Sequence, residues 1–392
     1  EFADALLDQI SVEINEEKDI ASMTTRIAED SEFTLKFDTP EKVGNKVMPE
    51  LIQKIGEFTG VTPDSTIKIE FPELDELKKI KGRKVFATDD SRDFVDRLFL
   101  AIAKQERQSI ASIIKENTPK FLVYSTYAKS YISKISTTYG DYLDNVIYVN
   151  NFVLSSYPKI ILYKQGRPYF LRYEGVKSGY VGALKMTILE ELVHSIQKNL
   201  YEKNKQAVIQ VNRLNEELAQ IILELDDSTA TKLSDHLQLP DVPSEFPIAK
   251  RANLFFMLNP DNFIVNVLGP DVMTYTKVEI EPGISSMLPQ LHEIYQRWLG
   301  PIQQHHAVFS TMEGMAEFCV QNILAKDVDF AQYLTTYMNT DISSYQVRKH
   351  LGKDLTSMVY TEHGKNSFKI LLENPPNTRE LKEPQLYLKR IN

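Results

Sequence analysis

The chain has 392 residues, of which 42% are hydrophobic and 25% charged. That balance is ordinary for globular proteins and excludes a disordered, collagen-like or low-complexity chain; no apolar run reaches the roughly 18 residues a membrane span needs. Net charge is −9, and residues 1–50 hold 13 acidic against 5 basic side chains, so there is no basic stripe to neutralise phosphates and nucleic-acid binding is not expected.

Neither a G-x-x-x-x-G-K-S/T loop nor a G-x-G-x-x-G turn occurs, which leaves nucleotide phosphates without a cradle. Cys319 is the single cysteine; it forbids an internal disulfide and agrees with a soluble protein of a reducing, cytoplasmic compartment. The length suits two or three domains.

Residues 1–118 are expected to form an acidic, mostly helical N-terminal region with a surface for a protein partner. Asp38-Thr39-Pro40-Glu41 reads as a helix start, with Thr39 as cap and Pro40 in the first turn. A second start at Asp89-Asp90-Ser91 opens a helix that runs on towards Ile114. From Phe121 the texture changes: aromatic and β-branched runs predict strands at 121–125, 146–149, 160–163 and 169–173, with turns at Gly140-Asp141 and Gln165-Gly166-Arg167-Pro168. A long apolar stripe then predicts an unbroken helix from Met186 to Leu225. Pro240, Pro243 and Pro247 mark an irregular connection, and helices are expected at 286–299, 305–325 and 345–358, before a Pro-rich tail. Residues 119–392 read as a second unit, carrying a helical and Pro-rich insertion at about 200–300.

The stretch that carries chemistry is Glu190-Glu191-Leu192-Val193-His194. On a helix, Glu190 and His194 leave the same face one turn apart and can hold one ion between them. Glu191 projects about 100° around, where a base acting on a metal-bound water would sit. A second stretch, Glu313-Gly314-Met315-Ala316-Glu317, again puts two carboxylates on one face, and its small residues permit a close helix crossing. Two such helices face to face would gather His194, Glu190 and Glu313 round one cation, with Glu317 orienting a ligand behind them. His306, seven residues before Glu313, lies on the same face. Cys319 reads as a small buried hydrophobe.

Glu190 to Gln197, E-E-L-V-H-S-I-Q, resembles the active helix of the zincin metallopeptidases, whose H-E-x-x-H pattern often continues as H-E-L-x-H-A-x-Q. E-G-M-A-E is similar to the downstream helix of the gluzincin branch. The tail, Asn374-Pro375-Pro376-Asn377-Thr378-Arg379-Glu380 followed by Pro384-Gln385-Leu386-Tyr387, resembles the ending of a poorly characterised prokaryotic group of gluzincin-like proteins. The resemblance covers about residues 120–390. It implies an α+β fold: a zincin-like metallopeptidase domain with a small mixed sheet, a long active helix and a helical C-terminal lobe, preceded by the helical N-terminal region.

By the same resemblance Glu191 is the general base, His194 and Glu313 are metal ligands and Glu317 is the supporting acid. Glu190 stands where the family has a histidine, and Glu383 where that group often has another. One imidazole with two carboxylates suits Zn²⁺, or the harder Mn²⁺ and Fe²⁺. A downstream His363 or Tyr360 would steady the oxyanion. The implied activity is hydrolysis of a peptide or protein substrate laid along an edge strand at Tyr169–Tyr173. Two other readings stand beside it: a non-catalytic binding or scaffold module without metal, and a carboxylate-rich di-iron site built on Glu191-x-x-His194, for which no second Glu-x-x-His lies in a suitable place. The hydrolase requires that the regions of His194 and Glu313 converge with no lysine or arginine plugging the gap.

Overall fold

The computed structural model describes residues 37–85, 88–125, 138–164, 173–241, 247–259, 275–336 and 344–392, with Asp4 and Ser22 alone before them. Of the acidic region expected at 1–118, residues 1–36 other than Asp4 and Ser22, and residues 86–87, lie outside the described residues.

Helix α1 (Pro40–Thr59) starts as its sequence dictates: the Thr39 hydroxyl accepts from the Lys42 N–H, and Pro40 sits where no N–H is needed. It stops at Gly60, in the left-handed region at φ 72°. β1 (Lys68–Glu70), α2 (Leu74–Val85), α3 (Asp89–Ala103) and α4 (Arg107–Glu116) follow. The expected single helix from Asp89 to Ile114 is two, because the chain turns through Gln105 at φ 57°. Residues 121–125, expected as a strand, are helical, in α5 (118–125). Asn117 caps that helix by accepting from the Lys120 N–H, and Phe121 to Tyr124 are at most 1% exposed. A short apolar run buried on every side has no period to tell helix from strand.

The sheet has three strands, β1, β2 (Gly140–Leu143) and β3 (Val146–Val149), in the order β1-β3-β2. β1 runs parallel to β3 with Ile69 opposite Ile147, and β2 is antiparallel to β3. The hairpin turn is Asp144-Asn145, at φ 50° and 66°, the left-handed pair that a two-residue turn between twisted strands requires and that Asp and Asn tolerate. Gly140-Asp141, expected as the turn, instead opens β2. Residues 160–163, expected as a strand, end the helix α6 (Asn151–Lys164), which Asn150 caps by accepting from the Val153 N–H. Residues 169–172 of the fourth expected strand lie outside the described residues, and Tyr173 begins a helix.

That helix is α7 (Tyr173–Ser195), followed by α8 (Lys198–Leu223), α9 (Asp227–His236), α10 (Pro247–Leu258) and α11 (Pro282–Met287). α12 (Gln290–Ile323) spans 34 residues and runs straight through Gly300-Pro301, where two helices were expected. Trp298, Leu299 and Ile302 are buried on either side, so packing outweighs the one hydrogen bond that Pro301 removes. α13 (Val328–Thr336) and α14 (Ser344–His363) follow. The Pro-rich tail is three short helices: α15 (Asn366–Glu373), α16 (Thr378–Lys382) and α17 (Pro384–Ile391).

The described residues pack into two apolar cores. One joins α3, α4 and α5 to the second half of α8, α10 and the first half of α12, around Phe99, Phe121, Phe255 and Trp298. The other joins α1 and the sheet to α7, the second half of α12, α14, α15 and α17, around Ile55, Ile188, Met315 and Phe368. α8 leaves the second core for the first and α12 returns, so these two long helices fasten the cores together. The fold is α+β, mostly helical with a small mixed sheet, and no helix among the described residues is long and apolar enough to cross a membrane.

Candidate functional site

The second core is built round α7, which is apolar on nearly every side and is buried accordingly. A Cβ on Gly182 would lie 2.0 Å from the Asp329 carbonyl oxygen, so only glycine lets α13 dock there. Lys185 secures the contact with Asp327 and Asp329, at 2.7 and 2.8 Å. On another side, a Cβ on Gly140 would lie 2.5 Å from Thr187 Cγ2 and 3.4 Å from Glu191 Cγ. The edge strand β2 is therefore laid directly against the helix beside Glu191, which is 7% exposed.

The helix expected to run on to Leu225 breaks just after His194. Ile196 and Gln197 donate their N–H groups three residues back, to Val193 and His194, and α8 starts afresh at Lys198. The break swings Gln197 into the core, where its Nε2 donates to the Met312 carbonyl at 3.0 Å. That bond fixes the amide: Oε1 is left as an acceptor, 2.9 Å from His194 Nδ1. His194 thus carries a proton on Nδ1 and turns Nε2 towards Glu313, whose Oε1 is 3.6 Å away.

Glu313 reaches this place because α12 and α14 cross with glycine against glycine. A Cβ on Gly314 would fall 2.1 Å from the Gly352 carbonyl carbon, and one on Gly352 would fall 1.7 Å from the Ser310 oxygen. One turn before Gly352, Lys349 points into the cluster, with Nζ 2.5 Å from Glu190 Oε1. One residue after it, Lys353 lies 3.3 Å from Glu317.

The structure brings Glu190, His194 and Glu313 together: one ligand atom from each lies within 4.8 Å of the others. It also places a lysine there. Burial pulls the Lys349 ammonium down, but the negative charges of Glu190 first, then Glu313 and Glu317, outweigh it and hold the group above the usual lysine range. Tyr333, stacked on Phe330, is pushed up to about 12 by burial and by the charge of Glu190. A pocket of about 520 Å³ opens beside the ion pair, its lining including the apolar Met186, Leu324 and Phe330 and the charged Glu190, Glu317 and Lys349.

His306 is buried on α12 two turns before Glu313, its ring edge-on to that of His305. Tyr360 belongs to an aromatic cluster with Phe58, Phe318 and Phe368, at centroid distances of 5.2, 5.3 and 5.9 Å. His363 closes α14, about 20 Å along the helix from Lys349. Cys319 is fully buried, and burial pushes its thiol well above the ordinary range. Sequence reasoning missed Lys349 and the work of Gln197. The signal for the lysine was present: Lys349-His350-Leu351-Gly352-Lys353 repeats the spacing of Glu313-Gly314-Met315-Ala316-Glu317, small residue included, with the opposite charge.

No protein-family model matches the chain, and searches of curated proteins and of solved structures find no match.

Proposed function

We propose that this chain is a non-catalytic, zincin-like binding or scaffold module in which the ammonium of Lys349 takes the place of a catalytic metal. The observation that carries this is the 2.5 Å contact between Lys349 Nζ and Glu190 Oε1. In kind, an imidazole and two carboxylates suit a divalent cation. In place, they do not fit a resident one, because Glu190, which stands where the resembled family has a neutral histidine, is already engaged by a positive charge. A metal there would meet a protonated amine on its own ligand, and the two like charges repel at a buried position where little solvent screens them. The pocket beside the pair, lined by apolar side chains and a few charged ones, has the make-up of a ligand site.

A second reading, peptide hydrolysis with Glu191 as general base, is favoured by the orientation of His194. A buried histidine whose Nδ1–H is held by an acceptor, with Nε2 facing carboxylates, is how metal-ligating histidines are arranged. A fluorogenic-peptide assay with and without chelator, on wild type and Glu191→Gln, separates the two. The non-catalytic reading predicts no chelator-sensitive turnover in either. Turnover that chelator abolishes and Glu191→Gln removes would establish the peptidase.

A further inference from the structure

Among the described residues, the carboxylates of Glu190 and Glu317 are paired with the ammonium groups of Lys349 and Lys353, at 2.5 and 3.3 Å, beside the buried carboxylates of Glu191 and Glu313. His194 is already turned with Nε2 towards Glu313, and one ligand atom from each of Glu190, His194 and Glu313 lies within 4.8 Å of the others. Lys349 holds one of the three donors, the Glu190 carboxylate. Its backbone cannot retreat, because the Gly314–Gly352 crossing, one turn away, admits no slack. Its four-carbon stem can swing, however, into the pocket that Lys349 itself lines.

We propose that Glu190, His194 and Glu313 form a latent seat for one divalent cation, and that Lys349 is the built-in competitor that closes it by holding the Glu190 carboxylate. The inference rests on Lys349 being the resident cation of the site, and it adds that the donor set behind the lysine remains competent. Removing the lysine while keeping the three donors then opens the seat.

The test is calorimetric titration of the metal-stripped full chain with Mn²⁺ alone and with Zn²⁺ alone, on wild type, Lys349→Met and Lys349→Met/His194→Ala. Lys349→Met is expected to take up one equivalent at least about 100-fold more tightly than wild type, and His194→Ala on that background to abolish the uptake. If folded Lys349→Met takes up no stoichiometric metal, the latent seat is overturned while the non-catalytic reading stands. Wild type binding as tightly as Lys349→Met overturns both, and uptake that survives His194→Ala lies elsewhere and overturns the seat. Should Lys349→Met fail to fold, Lys349→Gln, which keeps a hydrogen-bond donor to Glu190 without the charge and leaves the three donors in place, carries the titration. One tight equivalent upholds the seat, and none overturns it.

Discussion

Gly314 and Gly352 meet backbone to backbone where α12 crosses α14, at a separation that leaves no volume for a methyl group on either. This contact sets the height of Glu313 on one helix against Lys349 on the other, so the composition of the candidate site depends on two residues without side chains. Gly314→Ala and Gly352→Ala are each expected to destabilise the protein by about 1–3 kcal/mol or more through overpacking. Gly300→Ala, in the same helix, meets nothing within 4 Å of the added carbon apart from its chain neighbours; it should cost less than either, the gain in helix propensity of up to about 1 kcal/mol offsetting part of the clash with the Pro301 ring. Denaturant midpoints of the three variants check the contrast.

Lys349 and Glu190 are 14% and 18% exposed as side chains, so their pairing is largely out of water. Losing one partner strands the other: Lys349→Met is expected to cost about 3–5 kcal/mol. Replacing both, as Lys349→Met/Glu190→Leu, should recover most of that loss, since a buried ion pair and an apolar pair of similar volume are often close in stability. A double-mutant cycle by urea unfolding measures the coupling. Additive losses would show that the two charges do not act on each other.

Gln197→Leu removes the acceptor of His194 Nδ1–H and the donor to Met312 oxygen together. The expected loss is about 1–3 kcal/mol, the penalty for buried polar groups left unmatched. Nitrogen NMR of the imidazole should show His194 protonated on Nδ1 in wild type and no longer confined to that form in the variant.

Much of this site was legible before the fold was known, and the reason is periodicity. Glu190 and His194 at four residues, and Glu313 and Glu317 at four residues, declare shared helix faces whatever the tertiary structure. The Thr39-Pro40 helix start was equally local. Strands were read less well, because Phe121 to Tyr124 and Ile160 to Tyr163 are short apolar runs that a helix with a good cap also accepts. β1 was hidden in a stretch too short to show alternation, and it belongs to the sheet only through pairing with residues almost 80 positions later. The break at Gln197 goes with a long-range bond to Met312, which no local pattern announces. A lysine in the gap was foreseeable as a kind, but nothing local singles out Lys349, which meets Glu190 only across 159 positions of chain.

The C-terminal tail holds a signal of its own. Asn377 and Glu380 form a reciprocal cap at the start of α16, and Arg390 donates to Glu380 from Nε at 2.6 Å and from Nη2 at 3.0 Å. Burial opposes the charge of Glu380, but the bonds from Arg390 and the Asn377 N–H outweigh it and keep the carboxyl below its ordinary value of 4.5. A depressed carboxyl stabilises the fold fully above that value, and the contribution fades as pH falls beneath it towards the folded-state value. Glu380→Gln should therefore lose roughly 1–3 kcal/mol at neutral pH and show a shallower decline in stability below pH 4.5 than wild type. Melting temperatures across an acid series would reveal whether the two profiles differ; parallel profiles would remove Glu380 from the account.

The central claim is that a lysine, not a metal, is the resident cation beside Glu190 and His194. Elemental analysis of the protein purified without added ions and without chelator tests it most directly. The account predicts far less than one equivalent of zinc, manganese or iron per chain. One equivalent that survives gel filtration and disappears in His194→Ala would contradict it.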